Sequence, residues 1–180
     1  MVLPILRSPL VAVHLPIFNH PLLSVKVKKP FQPFTLVVVD ILKKLDVTTI
    51  TQKVVIPKVS PKDVYEAYVD PKKHSEFTDS KATGKPVVGG KFTAWEGYIS
   101  GTFLELEDGK RVVQEWRSTD FPEDYPPSKL ELTFRAVPKG TEITMVHSNV
   151  PKDQEAETAE GWTEFYWDPM KEYFKPKTKK

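Results

Sequence analysis

The side chains in this sequence that could transfer protons or hold metal ions are few and widely spaced. The 180 residues contain no cysteine, which excludes disulfides, thiolate zinc sites, iron–sulfur clusters and cysteine nucleophiles. The four histidines are His14, His20, His74 and His147. No two of the histidines after residue 47 have a spacing typical of metal ligands. We therefore predict no metal site and no cofactor.

His147 is the histidine in the most interesting position. In a run that alternates as a strand, it shares one face with Ile143 and Met145, so its ring is predicted to point inward. A lone inward histidine is most often a hydrogen-bonded core residue. Contact with a ligand and acid–base catalysis are the two alternatives.

A glycine-rich stretch has only a superficial likeness to a phosphate-binding loop. Gly84, Gly89, Gly90 and Lys91 lack the spacing of that motif, and Phe92 stands where a serine or threonine must hold magnesium. Glycines in this pattern indicate turns between strands. We predict no nucleotide phosphate site here.

Acidic side chains cluster in two predicted turns, at residues 105–108 and in the loop 120–127. Carboxylates in turns are usually solvated, so neither group predicts an acid–base pair. The second loop is a candidate surface for a protein partner, because prolines stiffen it and its aromatic residues lose little entropy on binding. The candidate contact residues are Phe121, Glu123, Asp124 and Tyr125.

The elements that must position these residues are mostly short strands. Residues 49–56 have the composition of a first strand, and Ser60 and Pro61 are typical of a helix start. That helix is predicted to reach about Val69, and a second short helix begins at Pro71 and ends before Thr78. Five or six further strands follow, with two-residue hairpin turns predicted at residues 108–109 and 139–140. The pattern predicts a curved antiparallel sheet of six or seven strands.

From about Asp153 the apolar period becomes helical. The stripe comprises Trp162, Phe165, Tyr166, Pro169, Met170, Tyr173 and Phe174. At 1.5 Å per residue such a helix is roughly 33 Å long, enough to cross a small sheet. Pro169 is predicted to bend it. The fold class is therefore α+β, with this long C-terminal helix across the concave face of the sheet.

Packing between a bent sheet and a helix with bulky aromatic residues often leaves a cavity. Core packing is the ordinary role of inward aromatic side chains, and lining of the cavity is the alternative. The candidate lining residues are Trp116, Phe134, Met145, His147, Trp162, Phe165 and Tyr166. Such a cavity suits a small hydrophobic ligand.

Charge is unevenly distributed along the chain. Residues 1–47 carry a net charge of +4, which leaves −2 for residues 48–180 of the total of +2. An acidic body with basic ends is not typical of a nucleic-acid-binding protein. Prolines interrupt the uncharged stretch near the N-terminus, so a membrane helix and a signal peptide are both disfavoured. We predict a cytoplasmic protein, either monomer or dimer.

Composition also predicts the domain boundaries. Residues 1–47 contain no glycine, tryptophan or tyrosine, residues 48–175 form the predicted domain, and residues 176–180 are a basic tail. The extension has three interpretations: a targeting segment, a poorly ordered arm, or upstream sequence that is translated from an early start codon. We favour the third, which the mass of the protein from its native source would test.

Five sequence blocks carry a family resemblance. They are GGKF at 89–92, GYISG at 97–101, VVQEWR at 112–117, Val150-Pro151, and Gly161-Trp162 with Tyr166. In content and spacing they resemble the C-terminal domain of the activator of heat-shock-protein-90 ATPase, over about residues 50–174. That domain belongs to the START-like, birch-pollen-allergen-like helix-grip superfamily (SRPBCC), whose members surround a cavity between sheet and helix.

The resemblance has two departures. The first 47 residues are too short and too rich in proline to be the activator's N-terminal domain, and its asparagine-bearing motif is missing. The similarity is therefore to small single-domain members of the prokaryotic type.

The resemblance implies a non-catalytic binding module, with a chaperone or another protein as partner, or with a small apolar ligand in the cavity. The alternative is a cyclase- or hydrolase-like enzyme of the same superfamily, which needs an acid or base in the cavity. Because the inward positions are almost all apolar, binding is favoured.

Overall fold

The computed structural model describes residues 46–176. The predictions for the tail 177–180, and for the N-terminal extension apart from its last two residues, lie outside the described residues. Within residues 46–176, no helix is both long and apolar enough to span a membrane.

A seven-stranded antiparallel sheet forms the body, as the turn spacing predicted. Its strands are β1 (Val47–Pro57), β2 (Thr83–Gly84), β3 (Lys91–Ala94), β4 (Ile99–Glu107), β5 (Arg111–Ser118), β6 (Ser128–Val137) and β7 (Gly140–Pro151). The spatial order is β1-β7-β6-β5-β4-β3-β2, so neighbours in sequence pair from β2 to β7 while β1 returns to pair with β7.

Both predicted hairpins exist, but each turn departs from its prediction by one residue. The first turn is one residue longer than predicted, and the second lies one residue earlier. Between β4 and β5 the turn has three residues, Asp108 to Lys110, with Gly109 at φ +67° in the left-handed region that glycine tolerates. Between β6 and β7 the turn residues are Pro138 and Lys139, and Gly140 already pairs with Val137.

Two short helices follow β1 as predicted: α1 (Pro61–Val69) and α2 (Pro71–Thr78). The Ser60 hydroxyl accepts from the Asp63 N–H at 3.2 Å, and the Asp70 carboxylate accepts from the first two N–H groups of α2 that follow Pro71. Pro61 and Pro71 occupy the first helical positions, where a missing N–H costs nothing.

The C-terminal helix has three consecutive segments. They are α3 (Glu155–Trp162), a π-helical turn (Thr163–Trp167) and α4 (Asp168–Tyr173). The π turn lies just before Pro169, the residue predicted to bend the helix, and its defining bond runs from the Asp168 N–H to the Thr163 carbonyl. This five-residue spacing brings Trp167 to the sheet side and leaves Phe165 46% exposed.

The C-terminal helix packs on the inner face of the sheet. Trp162, Tyr166 and Met170 are buried, as the stripe predicted. Gln52 on β1 makes two hydrogen bonds to the helix. Its Nε2 donates to the Ala159 carbonyl at 2.7 Å, and its Oε1 accepts from Trp167 Nε1 at 2.6 Å.

Candidate functional site: a pocket between the sheet and the C-terminal helix

A pocket of about 370 Å³ lies where the first turns of the C-terminal helix pass over β4 and β5. The volume is in the range of small-molecule sites. Six aromatic side chains line it: Trp95, Tyr98, Trp116, Trp162, Phe165 and Tyr166. The polar side chains in the lining are Ser118, Asp120, Gln154, Glu157 and Thr158. The site is therefore a mostly aromatic space with a polar rim.

Trp95 reaches the pocket from a strained turn between β3 and β4. Its φ is +53° and that of Glu96 is +56°, both in the left-handed region that costs a non-glycine residue about 1–3 kcal/mol. The Trp95 ring meets Phe165 edge-on, with centroids 5.5 Å apart. The turn thus holds a large ring against the C-terminal helix.

The polar rim is joined by hydrogen bonds. The Tyr98 hydroxyl donates to the Asp120 carboxylate, and Gln154 Nε2 donates to the Asp120 backbone carbonyl at 2.6 Å. Partial burial, the bond to Asp120 and the charges of Asp120 and Glu157 together raise the pKa of Tyr98. Its phenol therefore stays protonated and serves as a donor at neutral pH.

A line of paired polar groups lies beneath the pocket. The Trp162 indole N–H donates to His147 Nδ1 at 3.1 Å, and His147 Nε2 is 2.7 Å from the Ser128 hydroxyl, which donates to the Trp116 carbonyl at 2.7 Å. Because an indole can only donate, Nδ1 must accept, and the proton of the neutral ring is assigned to Nε2. Burial lowers the pKa of His147 to about 3.

Only some of the residues predicted to line a cavity border this pocket. Trp116, Trp162, Phe165 and Tyr166 contact the space. Phe134, Met145 and His147 are not among its lining residues. The three lie deeper in the core, where the Phe134 ring packs edge-on against Tyr65 with centroids 5.8 Å apart. Strand alternation predicts the face of a residue but not how deeply its neighbours cover it.

The loop predicted to contact a partner needs a correction. Phe121 is 3% exposed and Tyr125 5% exposed, so neither ring is available as an anchor. Phe121 packs against Trp116, while the Arg117 guanidinium donates to the carbonyls of Pro122 and Tyr125 and draws the loop onto the domain. Of the four predicted contact residues, Glu123 and Asp124 lie on the surface.

Nine residues of the lining were not among the predicted ones. They are Trp95, Tyr98, Ile99, Ser118, Asp120, Gln154, Glu157, Thr158 and Gly161. The signal that could have found the first two is a pair of large aromatic residues close to Gly97, in a turn where small polar residues are usual. Asp120 belongs to a loop that was expected to be solvated. Glu157 lies in the first turn of the helix, where a carboxylate has an ordinary electrostatic reason to be.

A second, much smaller cavity of about 20 Å³ lies on the other side of Tyr166. Tyr68, His74 and Gln114 border it. Within the described residues, His74 Nε2 and both amide atoms of Gln114 are buried without a hydrogen-bond partner. This space is the size of one water molecule. Among residues 46–176, no three potential metal ligands lie together.

The sequence profile of the family described as "Activator of Hsp90 ATPase homolog 1-like protein" matches residues 58–175, which is more than half of the chain. The chain belongs to this family. The match confirms the resemblance that the five sequence blocks indicated, and it includes every lining residue of the pocket.

Sequence relatives and solved structures are both similar to this chain. The human activator of 90 kDa heat shock protein ATPase homolog 1 is 31% identical over 115 residues, which cover 64% of this chain and 34% of that protein. An HSP90 activator from Plasmodium falciparum has a TM-score of 0.60 at 26% identity, over 71% of this chain and 94% of that one. The Aha1 dimer from Colwellia psychrerythraea has a TM-score of 0.57 at 21% identity, over 66% of this chain and 90% of that one.

The chain spans about a third of the length of the curated relatives that it matches. The shared part is the domain described above. The solved neighbours confirm the predicted helix-grip architecture.

Proposed function

We propose that this chain is a non-catalytic binding module whose ligand site is the pocket between the sheet and the C-terminal helix. The observation that carries the proposal is the pocket of about 370 Å³ with six aromatic side chains in its lining. Aromatic walls with a few placed polar groups are the usual composition of a small-molecule site.

One side chain of the lining carries a buried donor without a partner within residues 46–176. The indole N–H of Trp116 is buried and has no acceptor among the described residues, although the ring of Trp116 lines the pocket. A buried donor without a partner costs about 1–3 kcal/mol. Because that nitrogen is buried, a molecule in the pocket could reach it only if the Trp116 ring turned, so the proposal rests on the aromatic lining.

The enzyme alternative has less support. General acid–base chemistry needs a titratable group that touches the substrate. His147, the sequence candidate for that role, has both ring nitrogens engaged by Trp162 and Ser128 and lies behind the pocket wall. A ring that is held neutral down to a pKa of about 3 is a poor proton carrier near neutral pH.

Nile red, an uncharged dye that fluoresces in apolar surroundings, tests the proposal. We expect saturable binding to the full chain and its loss in Thr158→Trp, which adds bulk from a lining position on the helix. Ala156→Trp is the matched control, because Ala156 is exposed on the same helix and does not line the pocket. Binding that is absent, or that survives Thr158→Trp, would remove the pocket as the site.

A protein partner is the second candidate function, which the names of the human and Plasmodium falciparum relatives as activators of the chaperone support. We propose that the acidic surface at Glu123 and Asp124 contacts a heat-shock-protein-90 chaperone. Adding the chain to the purified chaperone should raise ATP turnover, and Glu123→Lys with Asp124→Lys should abolish the effect. Glu160→Lys with Glu164→Lys, on an exposed helix face, is the charge-matched control. Unchanged turnover at saturating chain would eliminate this candidate.

The domain bounds 48–175, the monomer-or-dimer state and the cytoplasmic location stay predictions. Limited proteolysis with mass measurement tests the bounds. Light scattering of the full chain tests the oligomeric state. Fractionation of the source cells tests the location.

A further inference from the structure

We infer that the pocket selects an organic cation, an ammonium group attached to an apolar body, over uncharged and anionic molecules of the same shape. The inference rests on the proposed function, because it assigns a chemical class to the ligand of the same pocket. Three features carry it: the sign of the charges in the lining, the orientation of the cations nearby and the arrangement of the rings.

The charges in the lining have one sign. Asp120 and Glu157 contribute carboxylates, and the lining contains no lysine, arginine or histidine. The helix N-terminus opposes them with only about half a positive charge. Glu155, in the first turn of the helix, is paired with Lys152, so together they do not change the net charge near the pocket. A bound cation would therefore meet a net negative field.

Nearby cations are engaged elsewhere. Arg117 lies on β5 next to the lining residues Trp116 and Ser118, but strand alternation turns its side chain outward. Its guanidinium donates to backbone carbonyls of the loop that follows, including that of Pro122 at 2.7 Å. Lys152 pairs with Glu155. Neither cation belongs to the pocket lining, so neither takes the place of a cationic ligand.

Trp95 makes steep angles with two other rings of the lining. Trp95 meets Phe165 at 69° and Tyr166 at 68°, with centroids 5.5 and 6.3 Å apart, and Tyr166 lies 4.5 Å from Trp162. Rings that meet at corners can turn their faces toward one central group, which is the arrangement by which aromatic cages hold quaternary ammonium ions. The strained turn holds Trp95 in position before a ligand arrives, which lowers the entropy cost of binding.

The test uses benzyltrimethylammonium and its uncharged carbon isostere, neopentylbenzene, as competitors of Nile red on the full chain. We expect the cation to bind about tenfold more tightly, as a cation–π contact of roughly 1–2 kcal/mol implies. Asp120→Asn with Glu157→Gln should reduce that preference to the part due to the rings, since asparagine can still accept from Tyr98 while the charge is gone. Glu160→Gln, outside the lining on the same helix, is the control and should keep the preference.

The outcomes separate two failures. Equal affinity of the two competitors, or a preference that is undiminished in Asp120→Asn with Glu157→Gln, overturns the inference while Nile red binding upholds the pocket. Loss of the preference for the cation in Glu160→Gln also overturns the inference, because a charge outside the lining would then be enough to produce that preference. Failure of Nile red to bind removes the proposed site itself, and the inference with it.

Discussion

The two sides of Trp162 have opposite character. On one side its indole N–H bonds to His147, and the line from Trp162 through His147 and Ser128 to the Trp116 carbonyl has a partner at every step. On the other side the same ring lines a pocket of about 370 Å³ whose walls are mostly aromatic side chains.

This difference separates scaffold from site. A buried polar group that is fully paired rigidifies a core and fixes its geometry. An open aromatic surface gains more from a ligand than from its own neighbours. Changes on the paired side should therefore alter stability, whereas changes on the open side should alter binding.

The largest expected effect comes from His147→Ala. The change removes a fully buried ring and leaves both the Trp162 N–H and the Ser128 hydroxyl short of a partner. We expect a loss of about 3 kcal/mol or more in the free energy of unfolding, measured by urea denaturation. Met145→Leu, a volume-conserving change nearby, should cost less than about 1.5 kcal/mol. Equal losses in the two variants would contradict the role given to the hydrogen bonds.

Ser128→Ala is expected to have the next largest effect. It leaves the Nε2 proton of His147 buried without an acceptor, which costs about 2 kcal/mol of unfolding free energy. Ser148, whose hydroxyl bonds to the Lys129 carbonyl on the exposed side of the sheet, gives the control. Ser148→Ala should change stability by no more than about 0.5 kcal/mol. Nile red affinity should be unchanged in both variants.

Acid should destabilise the paired side. Because burial holds the pKa of His147 at about 3 in the folded state, the unfolded chain, with a histidine pKa near 6.5, binds the extra proton first. Its contribution is complete above pH 6.5 and declines as the pH falls toward 3. Between pH 6.5 and 5 we expect a loss of about 1.5 kcal/mol. His74, whose pKa burial also lowers, adds a decline of the same sign.

The His147→Gln variant isolates the part due to His147. Glutamine can keep both hydrogen bonds but does not titrate, so the difference between the two unfolding profiles reports that ring. Parallel profiles between pH 6.5 and 5 would show that His147 is protonated equally in both states, and would contradict its burial as a neutral group.

The smallest effect on stability should come from the open side. Phe165 is 46% exposed and packs edge-on against Trp95, so Phe165→Ala should cost only about 1 kcal/mol of unfolding free energy. It removes one wall of the pocket, and Nile red affinity should fall about tenfold, as the loss of an aromatic contact of roughly 1–1.5 kcal/mol implies. A variant that loses stability but keeps its affinity would reverse the assignment of the two sides.

Several features of the site could be predicted because they depend on local patterns. Alternation placed Met145 and His147 on the inner face, and the helical period placed Trp162 and Tyr166 against the sheet. The helical period predicted the wrong exposure for Phe165 and Trp167. The π turn inserts an extra residue into one helical turn, so Phe165 is exposed and Trp167 is buried. Apart from the proline that follows it, no local sequence pattern predicted the π turn.

The sequence alone determined the fold, since periodicity, capping residues and turn glycines act over a few neighbouring positions. Tertiary structure decided which inward residues face empty space, because that depends on distant segments. The turn at Trp95, the loop at Asp120 and the start of the C-terminal helix converge on one opening. Burial of Phe121 and Tyr125 was decided in the same way, since Arg117 draws their loop onto the core.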